Sequence, residues 1–274
     1  MKTIILATDF SPAAENAANY TADMAVFIGA KILLLHICDM PISYADMPVA
    51  AIPNNTLQEA ADLLEQQKAR LLHHTGNKVM VETMARMGIF FTELKQVCEA
   101  VHPYAIAFGC QGTTAAQRFI WGGHTVYAMQ HLPWPVLAIP PNIKFTGIQK
   151  IGLACDFVKV VPNTPANKIK ALVKEFNASL HVLNTDAKET FSPSLVFESG
   201  MLQEMLETVK PFYHFIASDR VDDGINAFAA ANSLDLLIVL PKRHSFFDKL
   251  LHESHTKQLA LHSQMPVLSL HEDV

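Results

Sequence analysis

The chain has 274 residues, half of them hydrophobic, and a formal net charge of −5 with a pI near 6.2. That length predicts two domains of ordinary size, each with enough apolar residues for its own core. The acidic balance argues against a broad basic surface, so we expect no nucleic-acid partner. No apolar run reaches membrane-spanning length, so we expect no membrane partner either.

The cysteine pattern indicates a reducing compartment. The four cysteines form no C-x-x-C pair and lie scattered along the chain, at Cys38, Cys98, Cys110 and Cys155. The chain also enters a strand pattern at once, without a charged and apolar leader to cleave. These features predict reduced, mostly buried thiols in a cytoplasmic protein.

The chain begins with a strand–helix–strand pattern. Thr3 to Thr8 is a nearly continuous apolar run, as expected of a strand buried on both faces of a parallel sheet. Ser11 is predicted to cap a helix that begins with Pro12 and that Gly29 ends. Lys31 to Ile37 is predicted to form the second strand.

The alternation continues after a long connection. Asp39 to Asn55 is a loop rich in proline, methionine and alanine, and a loop of that length in a compact domain usually serves a function such as a partner contact. Helices are predicted at Thr56 to Thr75 and Ile89 to Ala100, with a strand at Lys78 to Arg86 between them. The pattern favours a doubly wound α/β fold with a parallel sheet.

A glycine-containing stretch follows the strand Tyr104 to Phe108. Gly109 and Gly112 come directly after it, and nine residues separate Gly112 from the pair Gly122-Gly123, which is predicted to lie in a second loop before a helical run. Glycine lets the backbone approach a ligand closely, and successive N–H groups at a strand end can bind an anion. The spacing is equally compatible with Gly109 and Gly112 forming only a tight turn.

The second half repeats the first. Lys150 to Phe157 resembles Lys2 to Phe10, with an aspartate at the same place, and Met265 to Leu268 matches Trp134 to Leu137. This internal duplication predicts two tandem domains, residues 1–143 and 144–274, each a doubly wound five-stranded parallel sheet with helices on both faces.

The second copy lacks the glycines. Leu240-Pro241-Lys242-Arg243 stands against Gly109 to Gly112, and Glu253-Ser254 stands against Gly122-Gly123. We interpret Lys242-Arg243-His244 as a solvated loop and Asp222-Asp223 as a helix start. His252 and His255 lie three residues apart, but they are too few to predict a metal site. A ligand site is therefore expected in the first domain only.

Together these motifs resemble the universal stress protein family. The resemblance rests on the strand ending in Asp9-Phe10-Ser11, the His36-Ile37 strand end, the spacing of Gly109, Gly112 and Gly122, and the closing Pro-Val-Leu strand. It implies a strand order of 3-2-1-4-5, pairing of the two domains through their last strands, and a bound adenine nucleotide: ATP, ADP or AMP, with or without Mg.

The resemblance also implies which residues contact the nucleotide. Ala7, Thr8 and Asp9 would line the adenosine side, with Ile37 near the base. Gly109 and Gly112 would hold ribose and phosphate, while Gly122, Gly123 and His124 would close on the phosphates. Family members have Ser or Thr directly after the third glycine, whereas this chain has Gly123, and Thr125 is the nearest hydroxyl that could replace it.

Three functions are compatible with the sequence. The first is a nucleotide-binding regulatory protein of the stress response, acting as a monomer or a homodimer. The second is a slow ATPase, for which Asp9 and His124 are the only candidate groups near the phosphates, and no triad spacing or nucleophile elbow supports it. The third is an interaction or scaffold protein without ligand. We favour the first and expect no catalytic residues.

Overall fold

The protein is described by a computed structural model covering residues 1–39, 55–110, 115–185, 193–241, 259 and 263–272. The chain divides into two compact units, Met1–Gly109 and Cys110–Val274. The α/β class with a mostly parallel sheet is confirmed. The predicted domain boundary near residue 143 stays a prediction. Gly112, the loop at residues 40–54 and the residues at 242–258 lie outside the described residues.

The first unit alternates strands and helices from its first residues. Its elements are β1 (Thr3–Ala7), α1 (Pro12–Ile28), β2 (Lys31–Asp39), α2 (Asn55–His74), β3 (Met80–Gly88), α3 (Phe90–Val101) and β4 (Ala105–Gly109). The strands pair in parallel in the order β3-β2-β1-β4. All five residues of β1 are buried, which explains its continuous apolar sequence.

The start and end of α1 follow the predicted capping residues. The Ala14 N–H donates to Ser11 Oγ at 3.2 Å, and Pro12 occupies the first turn, where its missing N–H is not needed. Gly29 ends the helix in the left-handed region with φ of 65°. These contacts fix where the chain leaves β1 and enters the helix, and so determine the shape of the turn between them.

The second unit begins with a helix and contains the remaining strands. Its elements are α4 (Ala115–His131), β5 (Val136–Ile139), β6 (Lys150–Ala154), α5 (Val160–Asn163), α6 (Ala166–Phe176), β7 (Ser179–Asn184), α7 (Pro193–Leu206), a 3-10 turn (Glu207–Val209), β8 (Phe212–Phe215), α8 (Val221–Asn232), β9 (Leu236–Val239) and β10 (Val267–Ser269). Parallel pairing gives the order β8-β7-β6-β9-β10.

The last strands of the two sequence repeats pair with each other. β10 runs antiparallel to β5, with Leu268 opposite Leu137. Both strands are fully buried. Among the described residues no helix is both long and apolar enough to cross a membrane.

Gly109 is required by close packing. A Cβ at this position would lie 2.7 Å from the Ala13 carbonyl carbon and 2.9 Å from the Ala14 nitrogen, in the first turn of α1. Those are backbone atoms, which cannot rotate away as a flexible side chain can. The end of β4 therefore lies against the start of α1 only because residue 109 has no side chain.

We predict opposite effects for two Gly→Ala substitutions. Gly109→Ala should lower the free energy of unfolding by about 1–3 kcal/mol, because the added methyl group forces apart two packed elements. Gly200→Ala is the control. It lies exposed within α7 with nothing within 4 Å of its would-be Cβ, and it should raise stability by up to about 1 kcal/mol through helix propensity. Urea denaturation measures both, and equal stability of the two variants would contradict the packing role of Gly109.

Candidate functional site

The turn after β1 is held by its own side chains. The Phe10 N–H donates to Thr8 Oγ1 at 3.1 Å, and the Ser11 N–H donates to Asp9 Oδ1 at 3.1 Å. Phe10 has φ of 62°, a left-handed conformation that costs energy for a residue with a bulky side chain. The two side-chain hydrogen bonds keep the backbone in that conformation.

β2 supplies a second contact to the same turn. His36 Nδ1–H donates to the Thr8 carbonyl oxygen at 2.8 Å, so in the neutral imidazole Nε2 is left as an acceptor. The ring also packs on Phe10, with centroids 4.7 Å apart. Ile37, the next residue, is buried. Ile37 is a site residue predicted from the sequence, whereas His36 is added by the structure.

α2 supplies a third contact, from a residue that the sequence analysis missed. Gln67 is fully buried, and its Oε1 accepts a hydrogen bond from Thr8 Oγ1 at 3.0 Å. Its Nε2 has no hydrogen-bond partner in the described part of the chain. A signal existed in the sequence, because Gln67 interrupts the apolar face made by Leu64 and Leu71 at helical spacing.

The structure brings five predicted site residues to one edge of the first unit's sheet. Ala7 pairs with Leu35 and Leu6 with Ala107, so Ala7, Thr8, Asp9, Ile37 and Gly109 all stand at the carboxyl ends of the parallel strands β1, β2 and β4. Ligands of doubly wound folds bind at this edge. Asp9 is half-buried, and its second carboxylate oxygen has no hydrogen bond to any described residue. It can therefore accept hydrogen bonds from a ligand.

The interpretation of Gly122 and Gly123 as loop residues was wrong. Both lie inside the helix α4, together with His124 and Thr125. In a helix interior each N–H is directed at the carbonyl four residues earlier, so these amides do not form an anion nest. The apolar residues around the pair extend the helical pattern across it, and this outweighs the low helix propensity of glycine.

Thr125 is also unsuited to replace the missing hydroxyl. Its side chain is 1% exposed and forms a hydrogen bond with the Cys110 thiol. Burial raises the pKa of Cys110 to about 12, and the hydrogen bond from Thr125 acts in the opposite direction. The threonine is part of the core of the second unit, and the thiol is unreactive at neutral pH.

The second unit contains a near copy of the turn. Phe157 is again left-handed, with φ of 51°, and the Val158 N–H donates to Asp156 Oδ1 at 3.1 Å. Asn184 Nδ2 donates to the Cys155 carbonyl at 3.0 Å, which is the role that His36 has in the first unit. The sequence repeat is thus a repeat of hydrogen bonds as well.

The two turns differ in how their phenylalanine rings pack. Phe157 is only 4% exposed and packs against Phe215 and Tyr213, with ring centroids 6.0 and 6.4 Å away. Phe10 remains half-buried beside His36. The residues that replace the glycines, at 242–243 and 253–254, lie outside the described residues, as do Lys242-Arg243-His244, His252 and His255. In the described residues no group of three or more potential metal ligands occurs.

The chain belongs to the universal stress protein family. The profile of the family, described as "Universal stress protein family", matches residues 1–140 and again residues 148–271. The two matches agree with the tandem arrangement that the sequence repeat predicts.

Individual proteins of similar length show the same relationship. The chain is 24% identical to the universal stress protein Slr1230 of Synechocystis sp. over 297 residues, covering 98% of this chain and 99% of the relative. Its structure is similar to that of a universal stress protein from Archaeoglobus fulgidus, with a TM-score of 0.72, 15% identity and coverage of 99% of this chain and 98% of the other. A putative universal stress protein from Pseudomonas aeruginosa gives a TM-score of 0.60 at 12% identity, covering 98% and 93%.

We predict that Thr8→Val destabilises the fold. The substitution removes the hydroxyl that donates to Gln67 and accepts from Phe10, and it leaves both partners unpaired. The free energy of unfolding should fall by about 1–3 kcal/mol. Thr8→Ser keeps the hydroxyl and is the matched control. Urea denaturation of the two variants tests the contact, and a Val variant as stable as the Ser variant would show that the hydroxyl is unimportant.

Proposed function

We propose that the protein binds one adenine nucleotide (ATP, ADP or AMP) at the sheet edge of its first unit, and acts as a nucleotide-dependent regulator of the stress response. The observation that carries the proposal is the convergence of Ala7, Thr8, Asp9, Ile37 and Gly109 at one edge, with an Asp9 oxygen open to a donor. Family membership supports the ligand class, because the resemblance to this family implies an adenine nucleotide.

The described residues suit the adenosine part of such a ligand. The open oxygen of Asp9 suits ribose hydroxyls, which are donors, and Ile37 offers an apolar contact to a base. Gly109 lets the end of β4 lie against the first turn of α1, which brings the two elements together at this edge. His36 Nε2 adds an acceptor beside Phe10. These groups recognise a nucleoside by hydrogen bonds and apolar contact without any metal.

The phosphate side remains a prediction. Gly112 lies outside the described residues, and the amides of Gly122 and Gly123 are helical. Any Mg would bind with the phosphates rather than to a preformed cluster of carboxylates.

A cytoplasmic location fits the state of the thiols. All four cysteines are free, and Cys38, Cys98 and Cys110 are buried. Burial raises the pKa of Cys98 to about 12, as it does for Cys110, so these thiols resist oxidation at neutral pH. Free thiols of this kind are typical of proteins in reducing compartments.

We predict that Asp9→Ala weakens nucleotide binding and that Asp156→Ala does not. Each aspartate holds the same turn through a 3.1 Å hydrogen bond, so the two variants should lose similar stability, about 1 kcal/mol. Only Asp9 lies at the proposed site. Calorimetric titration with ATP and AMP should show at least a roughly tenfold loss of affinity, or ~1.4 kcal/mol, for Asp9→Ala alone.

Whether the native protein carries a nucleotide also decides between a nucleotide-binding and a scaffold function. Mass spectrometry of the supernatant from heat-denatured native protein should find adenine nucleotide near one per chain. If the wild-type protein carries no nucleotide and gives no binding heat, the proposal is wrong and an interaction protein becomes the better interpretation. If Asp156→Ala weakens binding as much as Asp9→Ala, the site is not in the first unit.

A further inference from the structure

Three side chains of the second unit form a chain of hydrogen bonds. Ser179 and His181 are two residues apart on β7 and share one face of the sheet, and His214 lies on the neighbouring strand β8. Ser179 Oγ lies 3.1 Å from His181 Nε2, and His181 Nδ1 lies 3.0 Å from His214 Nε2. A hydroxyl, an imidazole and a third group that orients the imidazole are thus in line.

The Ser179 hydroxyl has two acceptors within reach. Its Oγ lies 3.3 Å from the Gln149 carbonyl oxygen, to which it can donate, and 3.1 Å from His181 Nε2, to which it donates when that nitrogen carries no proton. With Nε2 as acceptor, His181 carries its proton on Nδ1 and donates it to His214 Nε2. This is the tautomer in which an imidazole can remove the proton of a serine hydroxyl.

The arrangement of the two histidines is that of a hydrogen-bonded pair rather than of two metal ligands. Their rings are nearly parallel, at 17°, and their centroids are 5.2 Å apart. This centroid separation is close to the sum of the N···N distance and the two ring radii. The two nitrogens therefore point directly at each other. Two ligands of one metal would instead both point at a common centre beside them.

A cation and an aromatic ring lie next to the pair. Lys150 on β6 stands directly opposite Ser179, and its ammonium uses one of three donors on the Asn232 carbonyl. The ring of Phe212, which is 57% exposed, is stacked with that of His181, with centroids 5.3 Å apart. A positive charge beside a serine can stabilise the oxyanion of an acyl-transfer step, and an exposed ring can hold an apolar leaving group.

We infer that Ser179, His181, His214 and Lys150 form a nucleophilic site that accepts acyl groups from activated esters. Ser179 is the nucleophile, His181 is the general base, and His214 is a positioning residue. The substrate class is small acyl esters of good leaving groups such as phenols. The site lies at the amino ends of β6 and β7, whereas ligands of doubly wound folds bind at the carboxyl ends of strands, so it is separate from the turn after β6.

The reaction balances without a metal or a cofactor. Ser179 Oγ attacks the ester carbonyl carbon, and its proton passes to His181 Nε2. The C–O bond to the phenolate breaks as the acyl ester of Ser179 forms, and the phenolate leaves with the proton that His181 returns. Water then hydrolyses the acyl ester by the same base, giving the free acid.

The pKa of the base suits this role. Burial lowers the pKa of His181 from its usual value, and the charges of His214 and Lys150 lower it further, while burial also lowers the pKa of His214. Phe228 of α8 packs on His214, and the Asp235 carboxylate accepts the backbone N–H groups of Gln149 and Lys150. His181 is therefore neutral at pH 7, and the rate should fall only as the pH drops below the usual histidine range.

The test uses p-nitrophenyl acetate as the probe on the full chain. We expect a burst of p-nitrophenolate near one per chain and an acetyl group on Ser179, found by peptide mass spectrometry and removed by hydroxylamine, which spares acetyl-lysine amides. Ser179→Ala should abolish the burst. Ser199→Ala, which removes a partly exposed serine whose hydroxyl donates to the Val196 carbonyl, should leave it unchanged. No burst from wild-type protein, or acetylation of lysines alone, would overturn the proposal.

His214 variants separate positioning from folding. His214→Phe should slow the burst by at least about tenfold, because the imidazole of His181 loses its orienting acceptor. His214→Glu places a carboxylate at that position, which should restore part of the rate and move the midpoint of the pH profile upward, since a negative charge raises the pKa of His181. A purely structural role for His214 predicts the same pH midpoint in all variants, and that result would exclude the triad.

Discussion

The turn after β1 depends on one hydroxyl group. Thr8 Oγ1 donates to Gln67 on α2 and accepts from the backbone N–H of Phe10, while the carbonyl of the same residue accepts from His36 on β2. One residue thus ties together a strand, a helix and the turn itself. Because the turn contains a left-handed phenylalanine, it needs these contacts to hold its shape. The orientation of Asp9, and with it the proposed nucleoside site, follows from that shape.

The duplication preserved the turn and changed its surroundings. Cys155 occupies the place of Thr8, and its thiol accepts the Phe157 N–H at 3.4 Å, a longer and weaker bond than the hydroxyl makes. Asn184 replaces His36 as the donor to the strand-end carbonyl. The main difference is Phe157, whose ring is buried against Phe215, whereas Phe10 is half-buried beside His36. The second unit thus keeps the hydrogen bonds of the turn and changes the packing of its phenylalanine.

Much of the fold could be predicted because its signals are local. The apolar runs, the Ser11 cap and Gly29 each act within a few residues, and the structure has a strand, a helix start and a helix end where they indicate. Asp9 and Ile37 reached one edge because parallel strands align their carboxyl ends. Gln67 could not be assigned to that edge, since only the packing of α2 on the sheet brings it to Thr8.

The glycines show the limit of pattern-based inference most clearly. Glycine spacing alone does not distinguish a backbone nest, a turn, a helix interior and a close approach between elements. Gly109 is a close approach, because its missing Cβ admits the first turn of α1, whereas Gly123 is a helical residue whose would-be Cβ meets no described atom within 4 Å. The distinction depends on what lies opposite each glycine in space. A family motif therefore predicts the place of a site more securely than the chemical role of each of its glycines.

The hydrogen-bonded residues Ser179, His181 and His214 show the same limit for a site that was not predicted from the sequence. The spacing of Ser179 and His181 is local and places both side chains on one face of a strand. His214 joins them only through the register of β7 and β8, in which His181 stands opposite Phe212 and His214 lies one diagonal further on. No sequence separation reveals that register, so a triad assembled across two strands has no linear motif. A site that depends on strand pairing is therefore found from the structure, and the triad proposed above lies in the second repeat, which lacks the glycines.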